Sequence, residues 1–326
     1  MIHSRIIGTG SYAPRKVLTN HDLEKMVETS DAWIVERTGI KERRVCERGQ
    51  STSDLAYEAS LRAIKAAGIT AQDLDVIIVG TLTPDTHMPS MGCVLQAKLN
   101  AKKAAAFDVY AACSGFLYGL SIADAFLRSG MHQTVLVVGA EALSRFTDWE
   151  DRTTCVLFGD GAGAVVVQRH AGKRGILSTH IHSDGSFGDL LHIPAGGAAH
   201  PPTHDTVDRR QHYIKMKGNE TFKVAVRALE DVVQEALDHN KIKAEEIDLL
   251  VPHQANLRII QAMAKRLNMP MEKVVVTIHK YGNTSAASIP MALDEAVRRG
   301  KIKENSLILL EAFGGGLTWA SALIRW

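Results

Sequence analysis

Asp108-Val-Tyr-Ala-Ala-Cys113-Ser-Gly-Phe-Leu-Tyr-Gly-Leu120 reads as the end of a strand, a tight turn and the first turns of an apolar helix. The helix reaches Ser129-Gly130, with a short apolar strand on either side, Ala106-Phe-Asp-Val109 and Val135-Leu-Val-Val138. The pattern returns 170 residues later as Val274-Val-Val-Thr277, Gly282-Asn283-Thr-Ser-Ala-Ala-Ser-Ile-Pro290, Arg299-Gly300 and Leu307-Ile-Leu-Leu310. Cys113 to Gly130 and Asn283 to Gly300 are both 17 residues, so Asn283 is expected at the symmetry mate of Cys113. A chain of two matching halves can bring two reactive side chains face to face.

Working outward, strands and helical stretches alternate along the whole chain, which predicts an α/β layered fold. Ser53 to Ala67 is expected as an amphipathic helix, with Ser51, Thr52 and Ser53 as candidate caps and Gly68 as its end. Asp75 to Gly80 follows as a buried strand. In the second half, Thr221 to His239 is expected as a helix and Ile247 to Pro252 as a strand. A helix over Leu257 to Leu267, a strand at Val274, a helix over Asn283 to Arg299 and a last strand complete the order. Residues 1–170 and 171–326 are read as two α/β/α/β/α halves. No low-complexity linker divides them, so they are expected to pack as one body of five layers.

The stretch from Gly172 to Gln211 breaks every periodicity with Gly185, Gly188, Pro194, Gly196, Gly197, Pro201 and Pro202. It reads as a solvated surface loop. Six histidines lie between His180 and His212, but His200-Pro-Pro-Thr-His204 is not helical ligand spacing, and no metal is expected. Gly159-Asp-Gly-Ala-Gly163 resembles a dinucleotide fingerprint, yet Ala164-Val-Val-Val-Gln168 after it is a strand and not a phosphate-binding helix. It reads as a turn between strands.

Composition narrows the function classes. The 326 residues carry 38 Lys and Arg against 36 Asp and Glu, a net charge of +2 that argues against a nucleic-acid binder. No apolar run approaches the roughly 20 residues of a membrane span, and the first residues lack a signal-peptide core, so a cytosolic protein is expected. Cys46, Cys93, Cys113 and Cys155 show no C-x-x-C spacing and read as free thiols in a reducing compartment.

Of these thiols Cys113 is the candidate nucleophile. A helix N-terminus favours its thiolate, and Ala111, Ala112, Ser114 and Gly115 leave room for a second molecule. Taken alone it reads as a buried structural cysteine. His253, in Val251-Pro-His253-Gln-Ala-Asn256, ends a buried strand, where α/β sheets collect ligand-handling groups. Alone it too reads as a core histidine. Gly314-Gly315-Gly316, after Glu311-Ala-Phe313, lets backbone N–H groups approach a developing oxyanion.

Together the Cys113 turn, Pro252–Asn256, Gly282–Ala287 and the triple glycine resemble the β-ketoacyl-acyl carrier protein synthase III family of thiolase-fold condensing enzymes. The resemblance covers the whole chain, from Gly8-Thr-Gly10 to Trp326. It implies a decarboxylative condensation of an acyl-CoA primer with malonyl-acyl carrier protein, through an acyl-Cys113 intermediate, that initiates fatty-acid synthesis. It further implies His253 and Asn283 as carbonyl hydrogen-bond donors, and the N–H groups of Cys113 and Gly315 as an oxyanion hole. Thr29, Trp33, Arg37, Arg152, Gly218, Phe222 and Asn256 are then the CoA contacts, and Met88 and Phe158 the acyl pocket. Met88 stands where many members carry phenylalanine. Lys223, Arg258, Lys265 and Arg266 become the docking face for acyl carrier protein. A homodimer with no cofactor beyond CoA as substrate, and with neither nucleic-acid nor membrane partners, completes the picture.

Three other readings compete. The order Cys, His, Asn also occurs in papain-like hydrolases, but the local pattern around Cys113 is not theirs. A non-catalytic acyl-CoA binder would not need the intact triad. A starter enzyme of a polyketide or quinolone pathway would share it.

Overall fold

The structure, a computed structural model, describes residues 2–326. Two sheets frame it. The first holds β1 (Ile2–Tyr12), β2 (Val76–Gly80), β3 (Ala105–Val109), β4 (Thr134–Ala142) and β5 (Asp160–Ala171) in the order β1-β5-β4-β2-β3. Strand β2 is parallel to β3 and β4, whereas β4, β5 and β1 alternate in direction. The second sheet holds β6 (Gly175–Ser183), β7 (Leu249–Pro252), β8 (Leu307–Gly314) and β9 (Thr318–Arg325) in the order β7-β8-β9-β6. There only β7 and β8 run parallel.

The helices are α1 (Asp31–Thr38), α2 (Thr52–Ala67), α3 (Met91–Lys98), α4 (Gly115–Ser129), α5 (Gly218–Asn240), α6 (Leu257–Arg266) and α7 (Ser288–Arg298). Helices α4 and α7 lie between the sheets, α2 and α3 cover the far side of the first, and α5 and α6 that of the second. These are the five layers of an α/β/α/β/α body, the architecture that the family resemblance implies. The sequence dictates the placement. Strands β2 and β4 are buried along their whole length and read as near-continuous Val/Ile/Leu runs, as central strands covered on both faces do. Helix α2 opens where Ser51 N–H and hydroxyl both donate to the Asp54 carboxylate, and it ends at left-handed Gly68. The middle layer sits hard on the first sheet: a Cβ at Gly139 of β4 would lie 2.2 Å from the Ala286 carbonyl oxygen.

Four expectations need correction. Val274 makes a single bridge to Leu250 and not a strand, because Gln254 and its neighbours, not a further strand, take up the backbone beside it. Gly172–Gln211 is no surface loop throughout: Gly175–Ser183 is the edge strand β6, paired with β9. Asp160–Gly163 is not a turn but the first part of β5, where the small residues let Met291 and Pro290 of α7 pack on the strand. Cys113 and Asn283 are not symmetry mates. Each middle helix starts from a 3-10 turn, Ala112–Ser114 or Ser285–Ala287, whose first residue has a left-handed φ, 45° at Ala112 and 48° at Ser285. Cys113 thus matches Ala286, and Asn283 lies two residues before its turn. The equal spacing to the helix-ending glycines arises because α7 is shorter than α4.

Candidate active site

Cys113 sits in the 3-10 turn leading into α4, at the C-terminal end of β3, and is buried. The end of β8 closes on it: a Cβ at Gly314 would stand 2.6 Å from the Cys113 backbone nitrogen, so only glycine fits. The Cys113 and Gly315 N–H groups are near enough to the sulfur to favour its ionised form. That is the pair the family resemblance implies for the oxyanion hole. The surroundings of the thiol work against the thiolate that a helix terminus favours. Burial pushes the thiol up to about 11, and the Ser285 hydroxyl and the two amides, which favour the ionised form, do not offset the desolvation. That direction favours the protonated thiol.

His253 follows β7 and is held by its own N–H to the Glu311 carbonyl at 2.8 Å. Its Nδ1 lies 2.6 Å from Ser288 Oγ, which also accepts the Gln254 N–H at 3.3 Å. Burial drives the imidazole down to about 3, so it is neutral. With Ser288 holding Nδ1, Nε2 is the free ring nitrogen. Asn283 exchanges backbone bonds with Leu157 and Gly159, and its Oδ1 accepts the Ser285 N–H at 2.8 Å. The amide Nδ2 is left as the free donor.

Cys113, His253 and Asn283 all line one cavity of about 600 Å³. Trp33, Arg37, Gly218, Phe222, Asn256, Lys223 and Arg258 line it as well. A second cavity of about 380 Å³, mostly apolar, begins on the other side of Cys113 and includes Phe158, Leu143, Ile193 and Gly315. Phe158 borders both. Trp33, on α1, carries the Arg37 guanidinium at 4.9 Å and that of Arg152 at 5.0 Å from its ring centre. Arg152 reaches the mouth only through that stack and through its bond to the Glu28 carbonyl.

Other expected positions lie elsewhere. Met88 is 88 % exposed and lines neither cavity of its own chain, because the segment after β2 carries it outward. Thr29 is outside the cavity lining, with a buried hydroxyl that lacks a partner. Lys265 and Arg266 lie at the end of α6, away from the cavity, and Arg266 pairs with Glu230 at 3.3 Å.

Several site residues escaped the sequence reading. Leu191, His192, Ile193, Ile214 and Met216 wall the two cavities, so the glycine- and histidine-rich stretch is part of the site. It is pinned by Arg210 and Lys215 on the buried Asp148 carboxylate, which the Arg210 bonds hold well below the usual carboxylate range. Ser285, Ser288 and Glu141 were not singled out. The polar run Asn283-Thr-Ser-Ala-Ala-Ser288 was the available signal for the two serines. Among the described residues no group of three or more His, Cys, Asp or Glu is placed to hold a metal ion. No helix there is long and apolar enough to cross a membrane.

Two family models match the chain: 3-oxoacyl-[acyl-carrier-protein] synthase III over residues 107–185 and its C-terminal counterpart over 237–326. The chain is 58 % identical over 325 residues to the β-ketoacyl-[acyl-carrier-protein] synthase III of Xanthomonas campestris, covering 100 % of this chain and 99 % of that one. The corresponding protein of Thioalkalivibrio sulfidiphilus is 57 % identical over 325 residues, with full coverage of both. The crystal structure of 3-oxoacyl-[acyl-carrier-protein] synthase III from Aquifex aeolicus superposes with a TM-score of 0.92 at 53 % identity, over 99 % of this chain and 100 % of that one.

Proposed function

Because the chain belongs to the β-ketoacyl-acyl carrier protein synthase III family, we propose that Cys113, His253 and Asn283 divide its reaction between them. The enzyme is an acyltransferase that initiates fatty-acid synthesis by condensing an acyl-CoA primer with malonyl-acyl carrier protein. The observation that carries the assignment is that all three side chains open into one cavity, with Cys113 at the neck between it and the apolar second cavity.

The larger cavity takes the pantetheine arm, with Trp33, Arg37 and Arg152 at the nucleotide end, and the smaller takes the acyl chain. Cys113 sulfur attacks the primer thioester, and the Cys113 and Gly315 N–H groups receive the oxyanion. After CoA leaves, malonyl-acyl carrier protein enters by the same route. His253 Nε2–H and Asn283 Nδ2–H donate to its thioester carbonyl, CO2 departs, and the enolate carbon attacks the acyl-cysteine carbonyl. Neutral His253 suits this role: a group held neutral above about pH 3 offers the same donor throughout the working range. CoA is a substrate here and no cofactor is assigned. The Cys-His-Asn hydrolase reading has no support in a whole-chain likeness to condensing enzymes.

Lys223, Arg258 and the α6 cations Lys265 and Arg266 are assigned to acidic acyl carrier protein. Lys265→Glu should raise the KM for malonyl-acyl carrier protein about tenfold, more at low salt, while acyl-CoA kinetics stay unchanged. Equal effects on both substrates would remove the assignment. A homodimer is supported by β3, an unpaired edge of the first sheet, and by exposed Met88 and Tyr110 nearby. Light scattering on the intact protein should give twice the 35.5 kDa chain mass; a monomer mass would exclude the dimer.

A further inference from the structure

Assigning Cys113 as the nucleophile leaves a proton without a holder. The buried thiol must lose its proton to attack, and the thiolate must regain one when it leaves the condensed product. His253, neutral and resistant to protonation, is a poor base for either step. On the other side of the sulfur lies a carboxyl that the condensation mechanism does not use. Glu141, at the end of β4, is completely buried. It accepts the hydroxyls of Thr81 at 3.2 Å and Thr83 at 2.6 Å and the Leu82 N–H at 3.2 Å, all from the segment after β2. These bonds fall mainly on Oε2; Oε1 receives only a Leu82 contact of 3.3 Å.

Ser285 fills the space between. The turn that carries it, Ser285–Ala287, packs against both the Cys113 turn and strand β4 with Glu141, and its hydroxyl favours the ionised forms of both groups. The oxygen is buried and makes no well-formed hydrogen bond of its own. Ser285 also adopts a left-handed φ of 48°, a strained backbone for a residue with a side chain, and it lines the second cavity beside Cys113. A strained, buried hydroxyl without a settled partner, placed between a thiol and a carboxylate, is suited to passing a proton.

We propose that Glu141, through the Ser285 hydroxyl, takes the Cys113 proton during acylation and returns it after condensation. This rests on Cys113 being the nucleophile. In the first half, the thiol proton moves to Ser285 Oγ as the Ser285 proton moves to the Glu141 carboxylate. The sulfur bonds to the acyl carbon, the bond to CoA breaks, and the CoA thiolate takes a proton from solvent. In the second half, the electron pair left by CO2 forms the new carbon–carbon bond and Cys113 leaves as thiolate. The proton on Glu141 then returns along the same path, and the carboxylate is restored. One solvent proton is consumed per turnover. The carboxyl suits the exchange, because burial raises it to about 7 against the Thr83, Leu82, Ser285 and Thr81 groups that favour its ionised form. Cys113 and Tyr110 are the ionisable groups that feel its charge.

The test is the rate of Cys113 acylation by acetyl-CoA, followed by rapid quench and intact mass from about pH 5.5 to 9. The sign follows from the role: the base acts when ionised, so the wild-type rate should climb through about pH 7 and then level. Glu141→Gln should be about 10²-fold slower at neutral pH and climb tenfold per pH unit with no plateau, since thiolate would then form only by ionisation to solvent. Glu141→Asp should keep the plateau at reduced height. Ser285→Ala should match Glu141→Gln, and the double variant should lose no more than either alone. An unchanged profile in Glu141→Gln, or a uniform loss with the plateau intact, overturns the relay. Should Glu141→Gln fail to fold, Ser285→Ala decides by the same criterion. A Cys113→Ala control separates the two claims: an adduct surviving there refutes the nucleophile, while an unchanged profile in the variants refutes only the relay.

Discussion

His253→Ala should slow condensation with malonyl-acyl carrier protein by about 10²–10³, the usual effect of removing one donor to a developing oxyanion. It should leave Cys113 acylation by acyl-CoA near the wild-type rate. The split follows from the geometry. His253 presents Nε2 to the larger cavity, with Nδ1 engaged by Ser288, whereas the oxyanion hole proposed for acyl transfer is made of the backbone N–H groups of Cys113 and Gly315. Asn283→Ala should show the same split, because its Oδ1 is engaged by the Ser285 N–H and only Nδ2 faces the substrate. Single-turnover assays of the two half-reactions measure this. Acylation falling in step with condensation would make His253 the base for the thiol and contradict its role as a donor alone.

Cys113→Ala carries the second large effect. With no sulfur at the neck between the two cavities, no acyl-enzyme forms, and condensation from any acyl-CoA should drop to background. The substitution removes one atom from a buried turn, so the thermal transition should move little. Cys113→Ser should be nearly as inactive, since a buried hydroxyl is far harder to ionise than the thiol it replaces. Loss of activity with an intact transition and intact CoA binding would mark a chemical role. Loss of folding would mark the structural cysteine that the residue resembles in isolation.

How much of this was legible depended on how local the signal was. The Val/Ile/Leu runs of β2 and β4, the Ser51 and Gly68 ends of α2, and the strand-turn-helix around Cys113 are local patterns, and each appears as read. Strand β6 was hidden because an edge strand bearing His180 and His182, with glycines and prolines following, lacks the apolar alternation of a core strand. Counting residues between Cys113 and Gly130 matched the wrong register, because helix length changes spacing while the left-handed turn residues Ala112 and Ser285 do not move. The state of the Cys113 thiol was beyond a local reading. The helix terminus that favours thiolate is written beside it, but the walls that desolvate it come from residues near 158, 285 and 314. Met88 shows the same limit, since nothing in its neighbourhood says which way an exposed segment turns.

Intact-mass spectrometry of the wild-type protein and Cys113→Ala, each incubated with acetyl-, isobutyryl- and octanoyl-CoA, tests the central claim most directly. Acyl adducts should appear on wild type alone, released on adding malonyl-acyl carrier protein, and their ranking should follow what the apolar second cavity accommodates. No adduct with any primer, or equal adducts on Cys113→Ala, would contradict a reaction carried by an acyl-Cys113 intermediate.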